Sequence, residues 1–156
     1  MPEMEILLEE AIKLELNAGD LYMAYSEAFK DDRSFWWQLA IEEKNHAALL
    51  KSGRIYLERG MLPNELLYQN INDIRAINDD LRSRIEACKL NPPDKKEAYD
   101  FTCRFEESAV ELHYQKIMST ATDSKIAMIF KKLGNADKDH AERIRSLMEK
   151  HEMMQN

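Results

Sequence analysis

Glycine and proline are scarce in this chain, with four of each in 156 residues. An all-β fold built on many tight turns needs more of both. The only two cysteines, Cys88 and Cys103, form no C-x-x-C pair and no disulfide framework. Both are expected to be small buried thiols. No uncharged run approaches the ~18 residues that a membrane span needs. No Lys/Arg block occurs, and the formal net charge is -7. That balance argues against nucleic acid as the main partner, because a phosphate backbone attracts clustered basic residues. The start, Met1-Pro2-Glu3-Met4-Glu5, is acidic where a signal peptide is basic. These absences predict a soluble, cytoplasmic protein with neither nucleic acid nor membrane as partner.

What the chain does have is helical periodicity. Hydrophobic residues make up 44% and charged residues 33%, a globular balance that leans towards helix. The length suits one domain, residues 1–156, with a substantial core. Pro2 opens a first helix over about 3–30, whose apolar stripe is Leu8, Ile12, Ala18, Tyr22 and Phe29. A short turn follows, with Ser34 as the expected N-cap. The second helix spans about 35–59, with Gly60 at its C-terminal cap. Pro63-Asn64 then breaks the chain. Ile71, Ile74, Ile77, Leu81 and Ile85 recur at helical spacing, so the long connection contains its own helix over about 69–90. Pro92-Pro93 stops it. Asp94-Lys95-Lys96-Glu97 resembles a capping box and opens a helix over about 94–119. After a short turn at Thr120–Asp123, the last helix covers about 124–151.

Connection lengths imply topology. Short turns make two antiparallel hairpins, and a long link joins them. Four long helices with one long crossover, between the second and third, is the ferritin-like bundle arrangement.

Polar residues interrupt the apolar seams. On the second helix the stripe Trp36, Leu39, Leu50, Leu57 is broken by Glu43 and His46. On the last helix the stripe Ile126, Phe130, Leu133, Ile144, Leu147 is broken by Asp137 and His140. A carboxylate and a histidine three apart point the same way from one turn. The two segments align as Trp36-x-x-Leu39-Ala40-x-x-Glu43-x-x-His46-Ala47 and Phe130-x-x-Leu133-Gly134-x-x-Asp137-x-x-His140-Ala141. Each remaining long helix offers one carboxylate: Glu15 lies seven residues before Tyr22, and Glu107 seven before Tyr114. On the third helix Glu106 and Glu111 are rivals to Glu107, and Phe101, Phe105, Ala109 and Leu112 form a second apolar face there. That face suits contact with a second subunit, in a homodimer or higher homo-oligomer.

Burying such groups uncompensated costs several kcal/mol per charge. Two divalent cations offset about four carboxylate charges, with neutral imidazoles as further ligands. Carboxylate oxygen and imidazole nitrogen suit iron first, with manganese or zinc as alternatives. The set matches that of di-iron and di-manganese carboxylate bundles: one Glu from each of two helices and Glu-x-x-His from each of the others. A single E-x-x-H signifies little, since helices are rich in glutamate; the matched pair carries the inference. Elsewhere the plainer reading holds. His113 and His151 are expected to face solvent, the nine methionines to serve packing and frayed ends, and Trp36 and Trp37 to be core and contact-surface residues.

On these residues the chain resembles the rubrerythrin branch of the ferritin-like superfamily. The resemblance runs through Glu15-x-x-Ala18-x-x-x-Tyr22, Leu39-Ala40-x-x-Glu43-x-x-His46-Ala47, Glu107 to Tyr114 and Asp137-x-x-His140-Ala141. It implies a di-iron oxidoreductase that reduces peroxide or oxidises ferrous iron with oxygen. It makes Glu15, Glu43, His46, Glu107, Asp137 and His140 metal ligands. Tyr22 and Tyr114 become hydrogen-bond partners behind them. Three departures stand out. The four-cysteine rubredoxin-like domain is missing, so electrons must come from a separate donor protein. Asp137 stands where the family has Glu, and its shorter side chain reaches less far. Val110 stands where rubrerythrins carry a further glutamate. Two other readings compete: a metal-sequestering bundle with little turnover, and a structural bundle whose site has degenerated.

Overall fold

The structure is a computed structural model that describes residues 2–59, 70–119 and 125–155. Side-chain surroundings are described for these except 2, 57, 109–119, 125–127, 130 and 153–155. Among the described residues every regular element is helical. The helices are α1 (Pro2–Ala28), α2 (Arg33–Ser52), α3 (Arg54–Glu58), α4 (Ile71–Leu90), α5 (Lys95–Ser119) and α6 (Lys125–Gln155), with a 3₁₀ turn at Lys30–Asp32. No described helix is long and apolar enough to cross a membrane.

The helices fall into two compact units, residues 1–92 and 93–156. In the first, α1 is central and packs against both α2 and α4. That position explains its sequence. Leu7, Leu8, Ala11, Ile12, Leu14, Ala18, Leu21, Tyr22 and Tyr25 are all buried, too many for one narrow stripe. Trp36 of α2 is wholly buried, with its ring centroid 4.9 Å from that of Tyr25 and 5.8 Å from that of Tyr22. Trp37, one residue on, is half exposed. In the second unit α5 packs along α6, burying Tyr99, Thr102, Phe105 and Glu106 from one and Leu133, Asp137, His140 and Ile144 from the other.

The helix ends follow local chemistry, with two corrections. α2 begins at Arg33, so Ser34 lies inside the first turn and is not the N-cap. The expected 35–59 helix is two pieces, α2 and α3, divided at Gly53. Gly60, Pro63 and Asn64 lie outside the described residues, as does the turn at 120–123. At α4 the Asn70 side chain accepts from the amides of Asn72 and Asp73, a good cap. At α5 the Asp94 carboxylate accepts from the Glu97 amide at 2.8 Å, the first half of a capping box.

α4 is locked to α1 by buried polar groups. Asn78 Nδ2 donates to the Glu10 carbonyl at 3.1 Å and to Glu10 Oε2 at 3.0 Å, and Asn17 Nδ2 donates to Asn78 Oδ1 at 3.0 Å. Burial raises the Glu10 pKa, but hydrogen bonds from Lys13, Asn78 and Arg75 and the Lys13 charge outweigh it, so the carboxyl lies below its ordinary value. A matched set of this kind stabilises one register of α4, because any slip strands buried donors and acceptors.

Candidate metal centre

α1 and α2 bring three of the anticipated residues together. Glu43 and His46 project from one turn of α2, and Glu15 faces them from α1. Glu15 and Glu43 are buried and His46 nearly so. His46 Nδ1 lies 3.2 Å from Glu43 Oε2 and 3.6 Å from Glu15 Oε2. Burial alone lowers the His46 pKa, but attraction to Glu15 and Glu43 overrides it and raises the pKa to about 10. That shift favours a His46 imidazolium as one counter-charge to the two buried carboxylates in the metal-free protein.

α5 and α6 form a second triad. Asp137 and His140 come from one turn of α6, and the carboxylate opposite them on α5 is Glu106. All three are about 1% exposed. His140 Nδ1 lies 3.3 Å from Glu106 Oε1, and one ligand atom of each residue falls within 4.8 Å of the others.

Glu106 replaces Glu107 at this place, a correction of one residue. Glu107 has 47% of its side chain exposed and pairs with Arg145. The spacing to Tyr114 pointed to Glu107, but one residue turns an α-helix by about 100°, enough to carry a carboxylate from core to surface. The usable signal was Tyr99, Thr102 and Glu106, a stripe at three- and four-residue steps whose polar members hide it from an apolar pattern.

Other anticipated residues are placed as follows. Tyr22 is buried against Trp36. The side chains of Val110, Glu111, His113 and Tyr114 lie outside those described. Cys88 is buried and Cys103 partly so, its Sγ 3.7 Å from Glu107 Oε1. His151 does not simply face solvent; its ring meets Tyr99 edge-on at 5.8 Å. It lines a cavity of about 570 Å³ with Asp94, Lys95, Lys96, Tyr99, Met148 and Glu152, none of them a triad residue. Sequence reasoning missed the polar trio Glu10, Asn17 and Asn78, whose burial depends on α4 returning to α1.

The triads suit a divalent ion. An ion with bonds of ~2.1 Å in tetrahedral or octahedral geometry holds neighbouring ligand atoms roughly 3.0–3.4 Å apart. The separations of 3.2, 3.3 and 3.6 Å sit near that range. Each triad offers two carboxylates and one imidazole, a donor set for iron, manganese or zinc. No protein-family model, curated protein or solved structure matches the chain.

Proposed function

We propose that this chain binds two divalent metal ions and works as a rubrerythrin-like di-iron oxidoreductase. It reduces peroxide, or oxidises ferrous iron with oxygen, using electrons from a separate donor protein. The observation that carries this reading is the pair of buried carboxylate–histidine triads. Glu15, Glu43 and His46 hold one ion, and Glu106, Asp137 and His140 hold the other. Iron supplies one-electron redox capacity at each triad, so that two together match the two-electron reduction of peroxide: H2O2 + 2H+ + 2e− → 2H2O.

The protein's own residues do the rest. Four carboxylates cancel the charge of two divalent ions. Burial excludes bulk water, which strengthens each charge interaction. His46 gives up its proton for Nδ1 to become a ligand, so loading the first triad releases acid. The all-helical architecture is compatible with this reading, and the rubrerythrin resemblance supports the redox assignment.

Anaerobic loading with ferrous iron, followed by peroxide, tests it. Ferric absorption in the near ultraviolet is expected to grow as peroxide disappears, faster than with free ferrous iron. Stoichiometric metal uptake with peroxide loss no faster than that control favours sequestration instead. Asp137 gives that second reading its footing, since its carboxylate can hold an ion yet reaches one methylene less far than a glutamate.

A further inference from the structure

We propose that Gly19 is the spacer that sets the size of the first triad, and through it the divalent ion the triad prefers; this rests on the metal reading above. Gly19 lies one turn beyond Glu15 on the same face of α1. A Cβ built there stands 3.2 Å from the carbonyl oxygen of Ala40, 3.5 Å from Glu43 Cβ and 3.5 Å from Lys44 Cγ. The tightest neighbour is backbone inside α2, which cannot rotate away as a side chain can. An added methyl therefore pushes α1 and α2 apart by a few tenths of an ångström. Glycine is also a poor helix former, and this one sits deep inside a 27-residue helix. Close approach to α2 is what its small size permits.

The approach acts on the triad unequally. Glu43 and His46 share one helix, so their 3.2 Å separation does not depend on the distance between α1 and α2. Glu15 reaches His46 across the gap, and that separation is already the longer one at 3.6 Å. Widening the gap opens the triad on the Glu15 side alone. Zinc, with bonds of ~2.0–2.2 Å to oxygen and nitrogen, loses most. Manganese, a larger ion with looser geometry, loses less. Gly19 is thus a positioning residue, acting through Glu15.

Calorimetric titrations of Zn2+ and Mn2+ into metal-free wild type and Gly19→Ala test this. The binding event that His46→Gln removes identifies the first triad. Gly19→Ala is expected to lower zinc affinity there about tenfold while manganese affinity changes by less than about threefold. The melting temperature without metal should change little, because the better helix propensity of alanine offsets the cost of the tighter α1–α2 contact. The visible absorption of bound Co2+ should change in intensity, reporting altered coordination. An unchanged zinc-to-manganese ratio overturns the proposal. Should Gly19→Ala not fold, Glu15→Asp opens the same side of the triad by one methylene and must shift the ratio in the same direction; no shift overturns the proposal there too. Absence of any His46-dependent uptake in wild type instead defeats the metal reading itself.

Discussion

The two hairpins carry the same chemical idea in different settings. In the first, His46 faces two glutamates and keeps slight contact with solvent, at 12% of its side chain. In the second, His140 faces Glu106 and the shorter Asp137, and all three are about 1% exposed. The first hairpin also carries α4, locked through Glu10, Asn17 and Asn78; α4 packs on α1, the helix that supplies Glu15. The comparison separates two properties that a motif search treats as one. Having a carboxylate and a histidine three residues apart is a matter of sequence. How far each group is dried, braced and reached is a matter of packing, and the two triads differ in all three.

That contrast is open to attack by mutation. The largest effect is expected for Glu106→Gln, which should abolish the second metal-binding event, a loss of more than about 100-fold, while leaving the first within about threefold. Equal weakening of both events breaks the idea of separately built triads. Next comes Asn78→Ala. It removes the donor to Glu10 Oε2 and the acceptor of the Asn17 amide, at roughly 1–3 kcal/mol for each buried group left unpaired, while Glu10 Oε1 keeps Lys13 and Arg75. Urea denaturation should show a loss of about 3 kcal/mol, with metal affinity at the second triad unchanged. A change below about 0.5 kcal/mol would mean that the polar lock does not fix α4.

The pH dependence follows from His46. Its folded pKa is raised above the unfolded value of 6.5 to about 10, so its stabilisation is fully present below pH 6.5 and is lost as pH rises through 10. Metal-free protein should therefore melt at progressively lower temperature from neutral pH towards pH 10. His46→Gln should flatten that slope, and zinc loading near neutral pH should release about one proton at the first triad. A melting curve that is flat over this window contradicts the assigned imidazolium. The smallest effect is expected for Glu107→Gln, less than about 0.5 kcal/mol and without influence on metal uptake, because its pair with Arg145 is half exposed. Loss of a metal at this variant would return the α5 ligand to Glu107.

Much of the fold was legible from periodicity and punctuation. Five helical segments, the helix inside the long connection and the Asp94 cap were all readable from local sequence. Gly53 was not, because nothing near it distinguishes a break from a tolerated glycine. Nor was α4's placement on α1, since Asn17 and Asn78 are ordinary surface residues until a partner covers them. Of the candidate site, Glu43, His46, Asp137 and His140 stood out as polar groups inside apolar stripes. Glu15 followed from its stripe. Glu106 ranked only as a rival to Glu107, because two adjacent glutamates on α5 differ by a rotation that spacing to a distant tyrosine does not resolve. Gly19 carried no signal at all; its meaning depends on how closely α2 passes.

The central claim is that both triads exist to hold cations. The most direct measurement is the metal content of protein purified without added metal, compared with its melting temperature before and after chelation. Our account predicts about two divalent ions per chain and a marked fall in melting temperature once they are removed. A chain that carries substoichiometric metal, takes up none on addition and melts at the same temperature with or without chelator would contradict it.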